Sequence, residues 1–217
     1  MRRKLERFEE NFKRDNVVEQ GKEIFNKIKG CWNKKFGNEN PIVVELGCGY
    51  GEYTIGLARQ FPEMNFIGID RKGARIWKGS KTAEEDGLMN VAFLRTHILE
   101  LENFFDECEI SEIWITFPDP RPRSRDERRR LTNPRFLNIY KHLIQPQGIV
   151  HLKTDSTELF EYTLDVLDTQ IKVEQLVSTS DLYGTNLHKE NFGIQSRFEQ
   201  MFLQNGETIK YLRFNFK

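Results

Sequence analysis

The sequence predicts an α/β fold: a mostly parallel sheet with helices on both faces, closed at its C-terminal end by an antiparallel pair of strands. Three observations predict it. From Pro41 to Thr169, short β-rich apolar runs alternate with helical patterns, the rhythm of parallel strands joined by crossover helices. The run IVVEL reads as a buried strand and passes through a glycine-rich turn into a helical pattern. The chain closes with KVEQLVST and IKYLRFNF, two β-rich runs that read as a final antiparallel pair.

Residues 1–40 are expected to form a partly helical N-terminal extension, helical from Val18 to Lys29, ahead of a domain spanning 41–217. After IVVEL and its glycines, YTIGLARQF reads as a helix and NFIGID as the second strand. RKGARIWKGSKTAEEDG is a helix ended by Gly87, NVAFLRT a third strand and LENFFDE a short helix. SEIWITF is the fourth strand. Asn133 and Pro134 make an N-cap and first turn for a helix with Phe136, Leu137, Tyr140, Leu143 and Ile144 on one face. GIVHLKTD is the fifth strand and TELFEYTLDVLDT a helix. Ser180 to Gly206 has weak periodicity and reads as loop and helix.

With 217 residues, the chain can bury roughly 70% of the surface its unfolded form exposes, so it needs no disulfide or metal staple. Cys31, Cys48 and Cys108 are widely spaced, and His97, His142, His151 and His188 show no ligand spacing, so no metal is expected. No apolar run approaches the roughly 18–20 residues of a membrane span. The start MRRKLERFEENFKR has no signal-peptide core. The expected compartment is the cytoplasm.

Charge is balanced, with 33 basic and 33 acidic residues, but it is segregated. Arg2, Arg3, Lys4, Arg7, Lys13 and Arg14 crowd the N-terminus. Between Thr96 and Pro120 there is no Lys or Arg, while Glu100, Glu102, Asp106, Glu107, Glu109, Glu112 and Asp119 are all there. Then seven arginines fall in the fifteen residues from Arg121 to Arg135. This suggests a polyanion partner on one face; the plainer alternative is solvated helix faces.

Four motifs carry chemistry. In VVELGCGYGEYT, Gly47, Gly49 and Gly51 turn the backbone tightly at the sheet's carboxyl edge, where ligands bind. A dinucleotide site prefers GxGxxG; the spacing here is GxGxG, flanked by Glu45 and Glu52. Carboxylates suit a cationic cofactor such as S-adenosylmethionine better than a pyrophosphate. Asp70, ending the second strand, is placed to accept ribose hydroxyls, a feature both cofactors share, or to cap a helix. In FPDPRPRSRDERRRLTNP, Asp119 lies between two prolines at the same edge. The arginines after it, Arg121, Arg125, Arg128, Arg129 and Arg130 among them, suit phosphates. Asp155, ending the fifth strand, reads as a site residue or as an N-cap.

Together these residues resemble the bacterial tRNA (guanine-N7)-methyltransferase family. VELGCGYG, GID, FPDPxPxxRxxxRRLT and LKTD occur in the family's order and spacing, from about Pro41 to Phe202. The resemblance implies a class I methyltransferase Rossmann-like sheet, S-adenosylmethionine as cofactor and a guanosine of the tRNA variable loop (position 46) as target. It implies that Glu45 and Asp70 bind the cofactor and that Asp119 lies beside the methyl group and the guanine, where it accepts from the target base or contacts and orients the cofactor. A third cofactor carboxylate of the family falls on His97 here. Arg123 matches a substrate-binding lysine, and Asp155 a substrate-site aspartate. Arg121 stands where the family often has Trp. The family's Thr-x-(Tyr or Phe)-Glu is met, with Ser for Thr, by Ser196, Arg197, Phe198 and Glu199, which the resemblance assigns to substrate binding; Asp155 and Glu199 are suited to accept from N1 and N2 of the guanine edge. No obligatory protein partner is implied, and the chain is expected as a monomer or homodimer. Two other readings stay open: a nicotinamide-dependent oxidoreductase on the same sheet, and an RNA-binding protein of this fold with another RNA target or no activity. Guanine N7 is a free lone pair at neutral pH, so the reaction needs positioning and charge rather than a general base.

Overall fold

The computed structural model describes residues 2–217, with side chains from Leu5 onward; the side chains of Arg2, Arg3 and Lys4, part of the basic N-terminal run, lie outside the described residues. In chain order the elements are α1 (Arg2–Lys13), β1 (Val17–Val18), α2 (Trp32–Phe36), β2 (Ile42–Leu46), α3 (Glu52–Gln60), β3 (Asn65–Ile69), α4 (Gly73–Glu85) and β4 (Val91–Leu94). There follow β5 (Ile110–Thr116), α5 (Pro134–Leu143), β6 (Ile144–Thr154), α6 (Thr157–Thr169), β7 (Val173–Thr179), α7 (Arg197–Gln204) and β8 (Lys210–Phe216).

They build one eight-stranded sheet in the order β1-β4-β3-β2-β5-β6-β8-β7. The strands from β1 to β6 pair in parallel, and β8 runs antiparallel to both β6 and β7. This is the α/β architecture the sequence predicts, including its antiparallel end. β2 pairs with β3 on one side and β5 on the other. The winding direction reverses between them, which opens a crevice at their carboxyl ends.

Strand alternation divides the core. Ile42, Val44 and Leu46 pack with Ile67, Ile113 and Leu152 under α5 and α6. Val43, Phe66, Phe93 and Trp114 face the other way, beneath Tyr53 and Leu57 of α3 and Ile76 of α4.

Two local expectations are corrected. The helix expected from Val18 to Lys29 does not form. Val17 and Val18 are fully buried as a strand beside Phe93 and Leu94 of β4. Gly21 and Gly30 then adopt positive φ, with a short 3-10 turn Glu23–Asn26 between them. β-branched side chains with a strand edge to join outweigh weak helical periodicity. The short helix expected in LENFFDE starts earlier, as a 3-10 turn Ile98–Asn103, because His97 caps it. No described helix is long and apolar enough to cross a membrane.

Candidate active site

The crevice at the carboxyl ends of β2, β3 and β5 is an open cavity of about 820 Å³. Its floor begins with the turn after β2. Gly47 and Gly49 hold φ of 76° and 59°, the left-handed region that favours glycine. A Cβ on either would meet nothing closer than 4.0 Å, so both backbones face open space. Gly51, expected as a third cofactor glycine, is a packing residue. A Cβ there would lie 2.6 Å from the Phe93 ring, and it is not part of the cavity wall.

Glu45 points from β2 into this floor and is 4% exposed. It accepts from Thr54 N at 2.9 Å, from the Thr54 hydroxyl, and from the Thr116 hydroxyl at 2.6 Å. Burial nevertheless pushes its pKa up from 4.5 to about 7. Three donors use most of the roughly four lone-pair positions of a carboxylate, leaving room for one more. Asp70, after β3, accepts from Lys72 N at 2.8 Å with Oδ1 and has Arg75 at 3.8 Å from Oδ2. It therefore braces the entry to α4 without being its N-cap, which is Lys72, and it lines the cavity. His97 also lines the cavity, and its Nδ1 accepts from Leu99 N at 3.2 Å. That bond is the one an Asp N-cap makes, so neutral His97 carries its proton on Nε2 and offers a donor there.

Asp119 stands on the rim with its side chain 61% exposed. Its Oδ1 accepts from Arg121 N at 3.3 Å, and its Oδ2 is 3.1 Å from the Arg121 guanidinium. Phe117 and Arg121 on either side adopt positive φ, of 48° and 49°, so the turn is tightly folded around it. Arg121, Arg128, Arg129 and Arg135 share the rim. Arg123, the N-cap of the 3-10 turn Ser124–Arg129, and Arg125 on that turn are exposed but away from the cavity wall.

Arg130 is corrected. It was expected on phosphate, yet its side chain is 6% exposed. It donates to the Arg121 carbonyl at 3.3 and 3.1 Å, pairs with Glu158 of α6 and lies 4.4 Å over the Tyr162 ring. It braces the turn that presents Asp119.

The C-terminal motif divides as well. Ser196 caps α7 by accepting from Glu199 N at 3.3 Å and lines the cavity with Phe198. Arg197 lies 4.0 Å over the Tyr50 ring and 5.0 Å from that of Phe198. Glu199, expected on the guanine edge, is fully buried and pairs with Lys153. Asp155 is half-buried, burial raises its pKa, and it lies outside the cavity wall. The cap of α6 is Ser156, which accepts from Leu159 N at 3.2 Å, so Asp155 is not its N-cap.

Three comparisons bear on this site. The sequence model of a family described as "Putative methyltransferase" matches residues 39–212. A tRNA (guanine-N(7)-)-methyltransferase of Cytophaga hutchinsonii is 48% identical, covering 99% of this chain and 98% of its own. One from Porphyromonas gingivalis is 46% identical, covering 97% and 86%. The chain belongs to the tRNA (guanine-N(7)-)-methyltransferase family. The solved 16S rRNA methyltransferase KamB shares its fold, with TM-score 0.67, 14% identity and coverage of 94% of this chain and 99% of that one. A structure described as an antibiotic-related methyltransferase does too, with TM-score 0.62, 17% identity and coverage of 93% and 96%.

In this family member, sequence reasoning missed Thr54 and Thr116, which hold Glu45, and Tyr50, which stacks beneath Arg197. It also missed Lys153. The signal was present: a lysine inside GIVHLKTD, at a strand position that alternation sends into the core.

Proposed function

We propose that this protein transfers a methyl group from S-adenosylmethionine to N7 of guanosine 46 in the tRNA variable loop. The observation that carries the reading is one cavity that holds the buried carboxylates Glu45 and Asp70 on its floor and gathers Arg121, Arg128, Arg129 and Arg135 with Asp119 on its rim. The names borne by relatives similar over nearly the full chain support methylation of guanine N7 in tRNA.

The residues fit the cofactor. Buried Glu45 keeps one acceptor position open at the floor and, with its raised pKa, gains most from a cationic partner. Asp70 keeps one oxygen clear of its backbone bond for a ribose hydroxyl. His97, standing where the family has a carboxylate, presents a ring donor to the adenine end. When bound, S-adenosylmethionine supplies a methyl group on a cationic sulfur. Asp119 then places negative charge beside a purine that becomes cationic as N7 is alkylated. Its partner Arg121 is free to turn to a backbone phosphate, with Arg125, Arg128 and Arg129 beside it. Those contacts position the RNA without reading its sequence. Local opening of the folded tRNA presents the base. Such a protein works in the cytoplasm, as a monomer or homodimer with no obligatory protein partner.

The test is incubation with unmodified bulk tRNA and radiolabelled S-adenosylmethionine, followed by borohydride and aniline, which cleave at 7-methylguanosine. Cleavage in the variable loop is the expected result. Label uptake without cleavage there would remove the N7 or position-46 assignment. No uptake at all would leave an RNA-binding protein of this fold.

Glu45 makes a separate prediction. Its folded pKa of about 7 means that the folded state holds an extra proton between pH 4.5 and 7. This group's effect on stability is therefore most favourable below pH 4.5. It becomes less favourable as pH rises to 7, by about 3 kcal/mol at 1.36 kcal/mol per unit. A ligand ammonium at Glu45 expels that proton. Calorimetric affinity for S-adenosylhomocysteine should then tighten by up to about tenfold per pH unit from pH 5.5 to 7 and level off. Glu45→Gln should bind more weakly and lose this slope. A flat wild-type profile would move the ammonium away from Glu45.

A further inference from the structure

Directly behind the cavity wall lies a fully buried ion pair. Lys153 of β6 and Glu199 of α7 are both 0% exposed, and the ammonium is 2.9 Å from each carboxylate oxygen. The ring closes through two neutral groups. Tyr183 donates its hydroxyl to Glu199 at 2.8 Å, Lys153 donates to the Asn191 carbonyl oxygen, and Asn191 donates back to the Tyr183 hydroxyl at 3.0 Å. Each charge is thus met by its opposite and by a hydrogen bond.

A buried pair of this kind is a weak source of stability, because apolar groups of the same volume fill the space without losing hydration. What it supplies is direction: one ammonium held at a fixed length from both oxygens of one carboxylate. That matters for α7. Among the described residues of α7, Glu199 is the one that is buried. Phe198 and Met201 are 40% and 44% exposed, and Phe202 and Leu203 are only partly buried against the core. Phe202 stacks on Phe117 at 5.8 Å and Arg197 N donates to Glu52, but the one fully buried contact of the helix with the sheet is a carboxylate. Its first turn carries the Ser196 cap and Phe198, both in the cavity wall. Lys153 itself lies on a central strand, paired in register with Thr116, whose hydroxyl holds Glu45.

We propose that Lys153 is a positioning residue: it latches α7 to the sheet through Glu199 and so fixes Ser196 and Phe198 as the wall against which the target base docks. The inference rests on the function proposed above for its substrate, but the latch itself is readable without substrate.

The test uses two variants of the full chain. Lys153→Met leaves Glu199 buried and unpaired, so it is expected to be unstable and is judged only by its melting temperature. The double variant Lys153→Met with Glu199→Met replaces the pair by apolar groups of similar volume and is expected to fold. In that double variant, amide hydrogen exchange across 197–204 should be at least tenfold faster than in the wild type. S-adenosylhomocysteine affinity should stay within about twofold. kcat/KM for tRNA should fall at least tenfold, mostly through KM. Wild-type exchange across α7 in the folded double variant would overturn the latch. If exchange is wild-type while KM rises, the latch is overturned in favour of a direct contact between Glu199 and the base. If the wild-type protein itself fails to methylate tRNA, the proposed function falls, and the exchange measurement still decides whether Lys153 holds α7.

Discussion

Asp119→Ala should fold, bind S-adenosylhomocysteine within about threefold of wild type, and lose about a hundredfold to a thousandfold in the rate of methyl transfer to tRNA. The separation follows from where the residue sits. Its side chain is 61% exposed and its partner is Arg121 on the same turn. An exposed pair contributes about 0–1 kcal/mol to folding, so the melting temperature should move by no more than a few degrees. The turn is held elsewhere, by two prolines and by Arg130 on the Arg121 carbonyl. What the carboxylate offers the reaction is charge at the cavity rim, where a neutral purine becomes a cation. Asp119→Asn keeps the shape and the acceptor while removing that charge, and should lose nearly as much. Single-turnover transfer at saturating tRNA, set beside calorimetric cofactor affinity, decides it. Retention of more than a tenth of the wild-type rate in the alanine variant would remove Asp119 from the chemistry. A parallel collapse of cofactor affinity would reassign it to holding the cofactor.

The second large effect separates two kinds of arginine. Replacing Arg125, Arg128 and Arg129 together by alanine should weaken tRNA binding by about tenfold per arginine, the size of a lost charge-assisted contact. The slope of log affinity against log salt should also fall by about 0.7–0.9 for each phosphate contact removed. These side chains are exposed, so stability should hardly change. Arg130→Ala should do the reverse. It strips the Arg121 carbonyl of both donors and leaves Glu158 unpaired, which should cost about 1–3 kcal/mol of stability and lower the melting temperature by several degrees. Its salt slope should match wild type. A filter-binding series from low to moderate salt, with thermal melts of each variant, checks both. A flat salt dependence in the wild type would sink the phosphate reading for the whole turn.

Much of this site was legible in the chain because its determinants are local. The turn after β2 needs left-handed backbone at Gly47 and Gly49, and glycines stand there. Asn133 and Pro134 mark the start of α5 within two residues, and the side chain of Asn133 accepts from Arg135 N as a cap should. Asp70 and Asp119 come to one edge because each follows a parallel strand, and parallel strands end on the same side of a sheet. Gly51 misled for a related reason: the spacing shows that a glycine is required but not whether a ligand or the Phe93 ring requires it.

What remained hidden depends on groups far apart in sequence. Seven arginines in one stretch look equivalent until the fold brings Glu158, 28 positions away, against one of them. Glu199 is expected in the substrate site, and only the fold brings Lys153, 46 positions away, against it in the core. Val17 and Val18 become a strand only because β4 offers them an open edge. The sheet, the glycine turn and the carboxylates of its ligand edge follow from local pattern, since periodicity, turn residues and caps act over a few neighbouring positions. Which charges face the cavity and which lie inside follows from the packed fold alone, because the cost of burying a charge depends on the partner that the rest of the chain delivers to it.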